Sequence, residues 1–156
     1  MTNSANLTLP MLRVLPMTAQ DGYMVSATGL LPSLKLLASS GQDHLRACAL
    51  VGGNLLECAL KAFLSHKGDG AALKNATIRH DLETLWCMSV KHNLPIEITP
   101  PPWCVVLNSL HSGPKFHLRY QAEVHGLSYP KTADMLDELP KVLVAIELAL
   151  TVASRV

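Results

Sequence analysis

Apolar side chains at Leu45, Cys48, Ala49, Leu55, Leu56, Ala59 and Phe63 fall on one stripe of a helix over residues 43–66. Leu50, Leu60 and Leu64 make its other side apolar as well. A helix apolar all round is expected to be central and covered on several sides. Gly52 and Gly53 in its middle each cost about 1 kcal/mol against Ala, which close approach of a neighbouring helix would offset. Met24, Leu30 or Leu31, Leu34 and Leu37 predict an earlier helix over 23–38, with Pro32 as a kink or restart. Gly41 would end it, and Asp43 could cap the next helix.

The stretch HKGDGAALKNAT reads as a loop. A helix of about four turns follows over 77–93, capped by Thr77 or Asp81, with Leu82, Leu85, Trp86 and Val90 facing inward. Four prolines break the chain in LPIEITPPP, and Pro102 suits the first turn of a further helix through WCVVLNSLHSG. The segment PKFHLRYQAEVHGLSYP is ambiguous. A last helix is predicted over 132–154, with Leu143, Ile146, Leu150 and Ala153 on its core face and a kink or break at Pro140. No run has the period of two that strands need. The expectation is an all-α chain: an extended arm over 1–20, then one helical domain over 21–156.

Composition narrows the function classes. At 156 residues and 49% hydrophobic content the chain can bury one good core, and 16% charged residues argue against disorder. A formal net charge of +1 sets up no global field toward nucleic acid or a membrane. Aromatics at 4% argue against a base-stacking platform. Cys48, Cys58, Cys87 and Cys104 form no C-x-x-C pair and sit among apolar neighbours, so they read as buried, reduced thiols of a cytoplasmic protein. No metal and no cofactor are expected. The first residues lack the features of a signal peptide. The run VLVAIELALTVA is too short for a bilayer and holds Glu147, so no membrane partner is expected.

Three polar features need a reason. Glu57 and Lys61 are spaced i, i+4 in the favourable order. They fit either a surface pair of modest value or a buried acid satisfied by a partner on another helix. His80 and Asp81 open the third helix, either as a solvated His beside a capping Asp or with His80 turned inward onto a carboxylate. Arg119 and His125 could orient an RNA phosphate and move a proton at a 2′-hydroxyl.

Together these pieces resemble the HEPN superfamily (higher eukaryotes and prokaryotes nucleotide-binding). NLLECALKAFL is similar to that family's helix with Glu and Lys four apart, and RHDLETL to its His-Asp-Leu segment. FHLRYQ is similar to the Arg-Tyr element of members linked to minimal nucleotidyltransferases. The ordered set spans about residues 22–154. The resemblance implies an antiparallel bundle of four to five helices that pairs as a two-fold homodimer. It places Glu57, Lys61 and His80 at a helix junction, with Asp81 and Tyr120 in the wider polar set. It implies an RNA or nucleotide ligand, and a nucleotidyltransferase as partner in a toxin–antitoxin type of system. Two functions follow from it. One is a metal-independent RNase in which Arg119 holds phosphate and His125 is the general acid/base across a dimer cleft. The other is a non-catalytic dimeric module that binds a partner protein or nucleotide. Tyr120 stands where the nucleases usually carry Asn or Asp, Gln121 replaces the Pro of the nucleotidyltransferase-linked members, and Gly126 follows His125. With the near-neutral charge, these departures favour the non-catalytic module.

Overall fold

The computed structural model describes residues 17–41, 43–112, 116–118 and 126–153. Helix α1 (Ala19–Ser39) opens on Thr18, whose hydroxyl oxygen accepts the Asp21 backbone N–H at 3.1 Å. That cap starts the helix four residues before Tyr23, so Ala19 and Gln20 of the expected arm are already helical. Residues 1–16 of the arm lie outside the described residues. Gly41, at φ +72°, supplies the left-handed turn that ends the first helix. Helix α2 (Leu45–His66) then runs back along α1: His66 at its end meets Gln20 at the start of α1, 3.1 Å apart. The two are therefore antiparallel.

A short 3-10 segment (Asp69–Lys74) and a set of turns lead to α3 (Leu82–Lys91), followed by α4 (Pro102–His111) and α5 (Thr132–Ala153). The fold is an all-α bundle, and among the described residues there is no strand. Helix α2 is its axis, touching each of the other four α-helices. Leu55, Leu56, Leu60, Phe63 and Leu64 are buried all round it, as expected of a helix with two apolar sides. By length and a mean hydropathy of 1.5, α2 would pass for a membrane span, yet 72% of that stretch is buried against the rest of the bundle.

Several boundaries differ from expectation. Helix α3 begins at Leu82, because Asp81 takes the cap position: its carboxylate accepts the Thr84 N–H at 2.9 Å. Thr77 instead donates its hydroxyl to Asn75 Oδ1, so residues 77–80 form turns. Neither inner proline breaks its helix. Pro32 leaves the Thr28 carbonyl without a helical donor, but both residues are exposed and water can satisfy that oxygen. Pro140 and its counterpart Leu136 are likewise only half-buried. Asp43 accepts the Leu45 N–H at 3.3 Å, while His44 holds the cap position itself. On α5, Leu143, Ile146 and Leu150 face the core. Cys48 and Cys104 are buried, but Cys58 is half-buried and Cys87 exposed, so not all four thiols are core groups.

Candidate functional site

The two glycines of α2 are where neighbouring elements come closest. A Cβ on Gly52 would lie 3.1 Å from Met135 Sδ of α5. A Cβ on Gly53 would lie 2.6 Å from Nδ1 of His111 on α4, a distance real side chains do not tolerate. The propensity cost of this glycine pair thus goes with close packing of two helices. Gly53 in particular makes room for an imidazole ring in the core.

That ring reaches Glu57, one turn along α2. His111 Nε2 is 2.6 Å from Glu57 Oε2, and His80 Nδ1 is 3.0 Å from the same oxygen. Lys61 Nζ donates to Oε1 at 2.6 Å. The Lys61 ammonium also lies 5.6 Å from the centre of the Tyr23 ring on α1, within cation–π range. Glu57, Lys61 and His111 are buried, and His80 is half-buried. One carboxylate therefore gathers donors from α2, α4 and the turn before α3, while Lys61 reaches α1. A buried charge persists only when paired and hydrogen-bonded in this way. Burial by itself would raise the Glu57 pKa, but hydrogen bonds from His111, Lys61 and His80 outweigh it and hold the group at about 2. Glu57 is thus ionised.

An ionised carboxylate only accepts, so His80 must carry a proton on Nδ1 and His111 a proton on Nε2. Glu57 and Lys61 cancel in charge, so the carboxylate asks for no second proton on either imidazole. Packing at Gly53 points the same way for His111. Among the described residues its buried Nδ1 has no hydrogen-bond partner. A bare lone pair fits against the glycine hydrogens, whereas an N–H would push into them.

The same three residues form the donor set that could hold a metal. Glu57, His80 and His111 offer one oxygen and two nitrogens, all within 4.8 Å of one another. Two imidazoles and a carboxylate suit a transition metal. To ligate through Nε2, however, His111 would have to move its proton to Nδ1, where Gly53 crowds it and no acceptor stands among the described residues. The protons and Lys61 fit this site better than a cation does.

Asp81 lies next to this cluster but belongs to a different contact. Asn108 of α4 accepts the Leu82 N–H at 2.8 Å through Oδ1. Its amide donates to Glu83 at 2.9 Å and, more weakly, to Asp81 at 3.3 Å. Asn108 and Asp81 together satisfy the first turn of α3. Of the expected site residues, then, Glu57, Lys61 and His80 meet, and Asp81 caps beside them. Arg119, Tyr120 and His125 lie outside the described residues. His111 and Asn108 are additions. They sit on the inward face of α4 with Cys104 and Leu107, a polar pair at apolar positions that could have been noticed.

A pocket of about 420 Å³ opens beside the network, lined by Thr77, Arg79, His80, Asp81, Ser112 and Phe116, among others. The Phe116 ring stands edge-on to His80, 5.6 Å between centroids. No reactive thiol is available in the buried cysteines: burial, then the nearby acidic groups, pushes the Cys104 pKa up to about 12. No protein-family model, curated protein or solved structure matches the chain.

Proposed function

We propose that this chain is a homodimeric helical module that binds a partner protein or a nucleotide and performs no chemistry of its own. The observation that carries this reading is the saturation of Glu57. Both its oxygens are taken up by Lys61, His80 and His111, and those contacts join the helices rather than face a substrate. The resemblance to HEPN domains supports a nucleotide or nucleotidyltransferase as the counterpart. Exposed Val144 and Leu148 on α5, beside Pro95 and Pro140, line an apolar groove of about 460 Å³ that suits self-association. Two measurements test the reading. Light scattering at micromolar concentration should give about twice the 16.9 kDa of one chain. A mixed RNA pool should survive hours with the protein in EDTA. A monomer mass removes the dimer, and RNA cleavage removes the non-catalytic assignment.

One observation favours a second reading, the metal-independent RNase. Phe116 lines the pocket and the Leu118 N–H donates to Leu110 O at 3.3 Å. Arg119 is the next residue in sequence after this anchored segment. In that case Arg119→Ala or His125→Ala should lower cleavage roughly a hundredfold or more, the scale of a lost general acid/base.

A further inference from the structure

We propose that the pocket beside the Glu57 network is a binding site for a phosphate group, held between the Arg79 guanidinium and Nε2 of His80. The inference rests on the binding-module reading and names the group that such a module takes.

Glu57 fixes the orientation of His80. With Nδ1–H committed to Oε2 at 3.0 Å, the other ring nitrogen points away from the carboxylate. The His80 side chain is 20% exposed and lines the pocket, so Nε2 faces the cavity. In the neutral imidazole that nitrogen is an acceptor. Arg79 is exposed on the same wall, and among the described residues its guanidinium has no hydrogen-bond or ion-pair partner. It offers a planar fork of donors with a permanent positive charge, matched to phosphate oxygens.

The hydroxyls of the lining are already committed. Thr77 donates its hydroxyl to Asn75 Oδ1 at 2.9 Å, and Ser112 donates to Asn108 O at 2.8 Å. The Asp81 carboxylate opposes an anion: its Oδ1 takes both the Thr84 N–H and the Asn108 amide, and its charge is a cost that the Arg79 contact has to outweigh. The groups that can answer an anion are therefore one fixed cation and one ring nitrogen with a lone pair. Of the charged and titratable groups around His80, Glu57 on α2 is bonded to it, His111 on α4 packs edge-on to it, Lys61 shares the Glu57 carboxylate, and Arg79 and Asp81 line the same pocket.

Hydrogen phosphate matches this pair in a way sulfate does not. Near neutral pH it carries anionic oxygens for Arg79 and one P–OH to donate to the Nε2 lone pair. Sulfate has no proton to give and needs His80 as the imidazolium, with Glu57 behind it. A phosphate monoester dianion resembles sulfate in this respect, and regains its P–OH below a second ionisation near pH 6. The pocket is larger than a phosphate ion, and the Phe116 ring is the apolar wall against which an ester's organic part would lie.

Calorimetry on the full chain tests the site, using inorganic phosphate, sulfate and glycerol 3-phosphate at about pH 8 and about pH 5.5. At the higher pH, phosphate should bind at least tenfold more tightly than sulfate. Arg79→Ala, an exposed change, should weaken phosphate at least tenfold without altering the thermal midpoint. His80→Ala should abolish the preference for phosphate over sulfate. In acid, tighter binding of glycerol 3-phosphate than of inorganic phosphate marks an ester as the source, and the reverse marks the free ion. Equal binding of phosphate and sulfate at the higher pH overturns the inference, as does phosphate binding untouched by Arg79→Ala. A protein that ignores phosphate but is dimeric and inert toward RNA loses this site alone. RNA cleavage sinks the binding-module reading whatever the pocket does.

Discussion

Two acid–lysine pairs in this molecule have the same spacing and nearly the same length. Lys61 lies 2.6 Å from Glu57 on α2, and Lys141 lies 2.7 Å from Asp137 on α5, each four residues apart. Their surroundings differ. The first pair's side chains are 6% and 9% exposed; the second pair's are 60% and 68% exposed. Water solvates Lys141 and its partners whether or not they touch, so the contact adds little. Glu57 has no such alternative, and the two histidines that complete its shell come from distant parts of the chain. Distance alone ranks these contacts as equals, whereas burial and the number of partners separate them.

Removing the buried acid is the strongest way to break that contrast. Glu57→Ala strands the Lys61 charge and leaves His111 with no partner on either nitrogen. The expected loss in unfolding free energy is about 3–5 kcal/mol, the scale for breaking a buried pair. Chemical denaturation would measure it, and a loss below about 0.5 kcal/mol would put this pair in the exposed class. Acid sharpens the same point. Glu57 has its pKa lowered from 4.5 to about 2 in the folded state. Its stabilising contribution is therefore fully present above about pH 4.5 and is lost as pH falls toward about 2. The stability difference between wild type and Glu57→Ala should shrink across that window. A difference that stays constant would mean the carboxylate is not held in its ionised form by these donors.

The glycine pair refines the picture of what supports the buried acid. Gly53→Ala would force a Cβ against the His111 ring, a rigid group with Glu57 on its other side. The expected cost is about 1–3 kcal/mol, typical of overpacking. Gly52→Ala meets the flexible thioether of Met135 and gains helix propensity, so it should stay within about 1 kcal/mol of wild type. Equal effects from the two substitutions would show that the His111 ring can retreat, and that the packing of α4 does not fix the network.

What was legible in the sequence follows from how local each feature is. The central position of α2, the i, i+4 order of Glu57 and Lys61, the Asp81 cap and Pro102 at the start of α4 are all set within a few residues. Spacing rules reach them. The close approach at the glycines was also readable, because a costly residue pair in a strong helix asks for a neighbour. His111 is another matter. It meets Glu57 across 54 residues of sequence, and no local period announces such a contact. Its one trace is position: it shares the buried face of α4 with Cys104 and Leu107, where an apolar residue would be ordinary. Whether Glu57 lay on the surface or in the core could not be decided from the helix itself, because α2 is apolar on both sides. The pocket was less visible still. Arg79 and Phe116 come together only through the turns before α3 and the anchoring of Leu118 on Leu110.

The smallest expected effect is at the exposed pair, and it serves as the control. Asp137 and Glu138 both touch Lys141, at 2.7 and 2.9 Å, and together they raise its pKa. In a dry site two such contacts would matter. Here all three side chains are in water, which screens the attraction and hydrates each group once the contact opens. Holding three long side chains together also costs rotamer freedom, which offsets what attraction remains. Lys141→Ala should leave the thermal midpoint unchanged within error at about 0.15 M salt, and any small loss at low salt should vanish as salt is added. The buried pair should not respond to salt in this way. A salt-insensitive drop in the midpoint of Lys141→Ala would show instead that the lysine's methylene stem covers the apolar groove it shares with Val144 and Leu148. The apolar groove, rather than the ion pair, would then be what the substitution had disturbed.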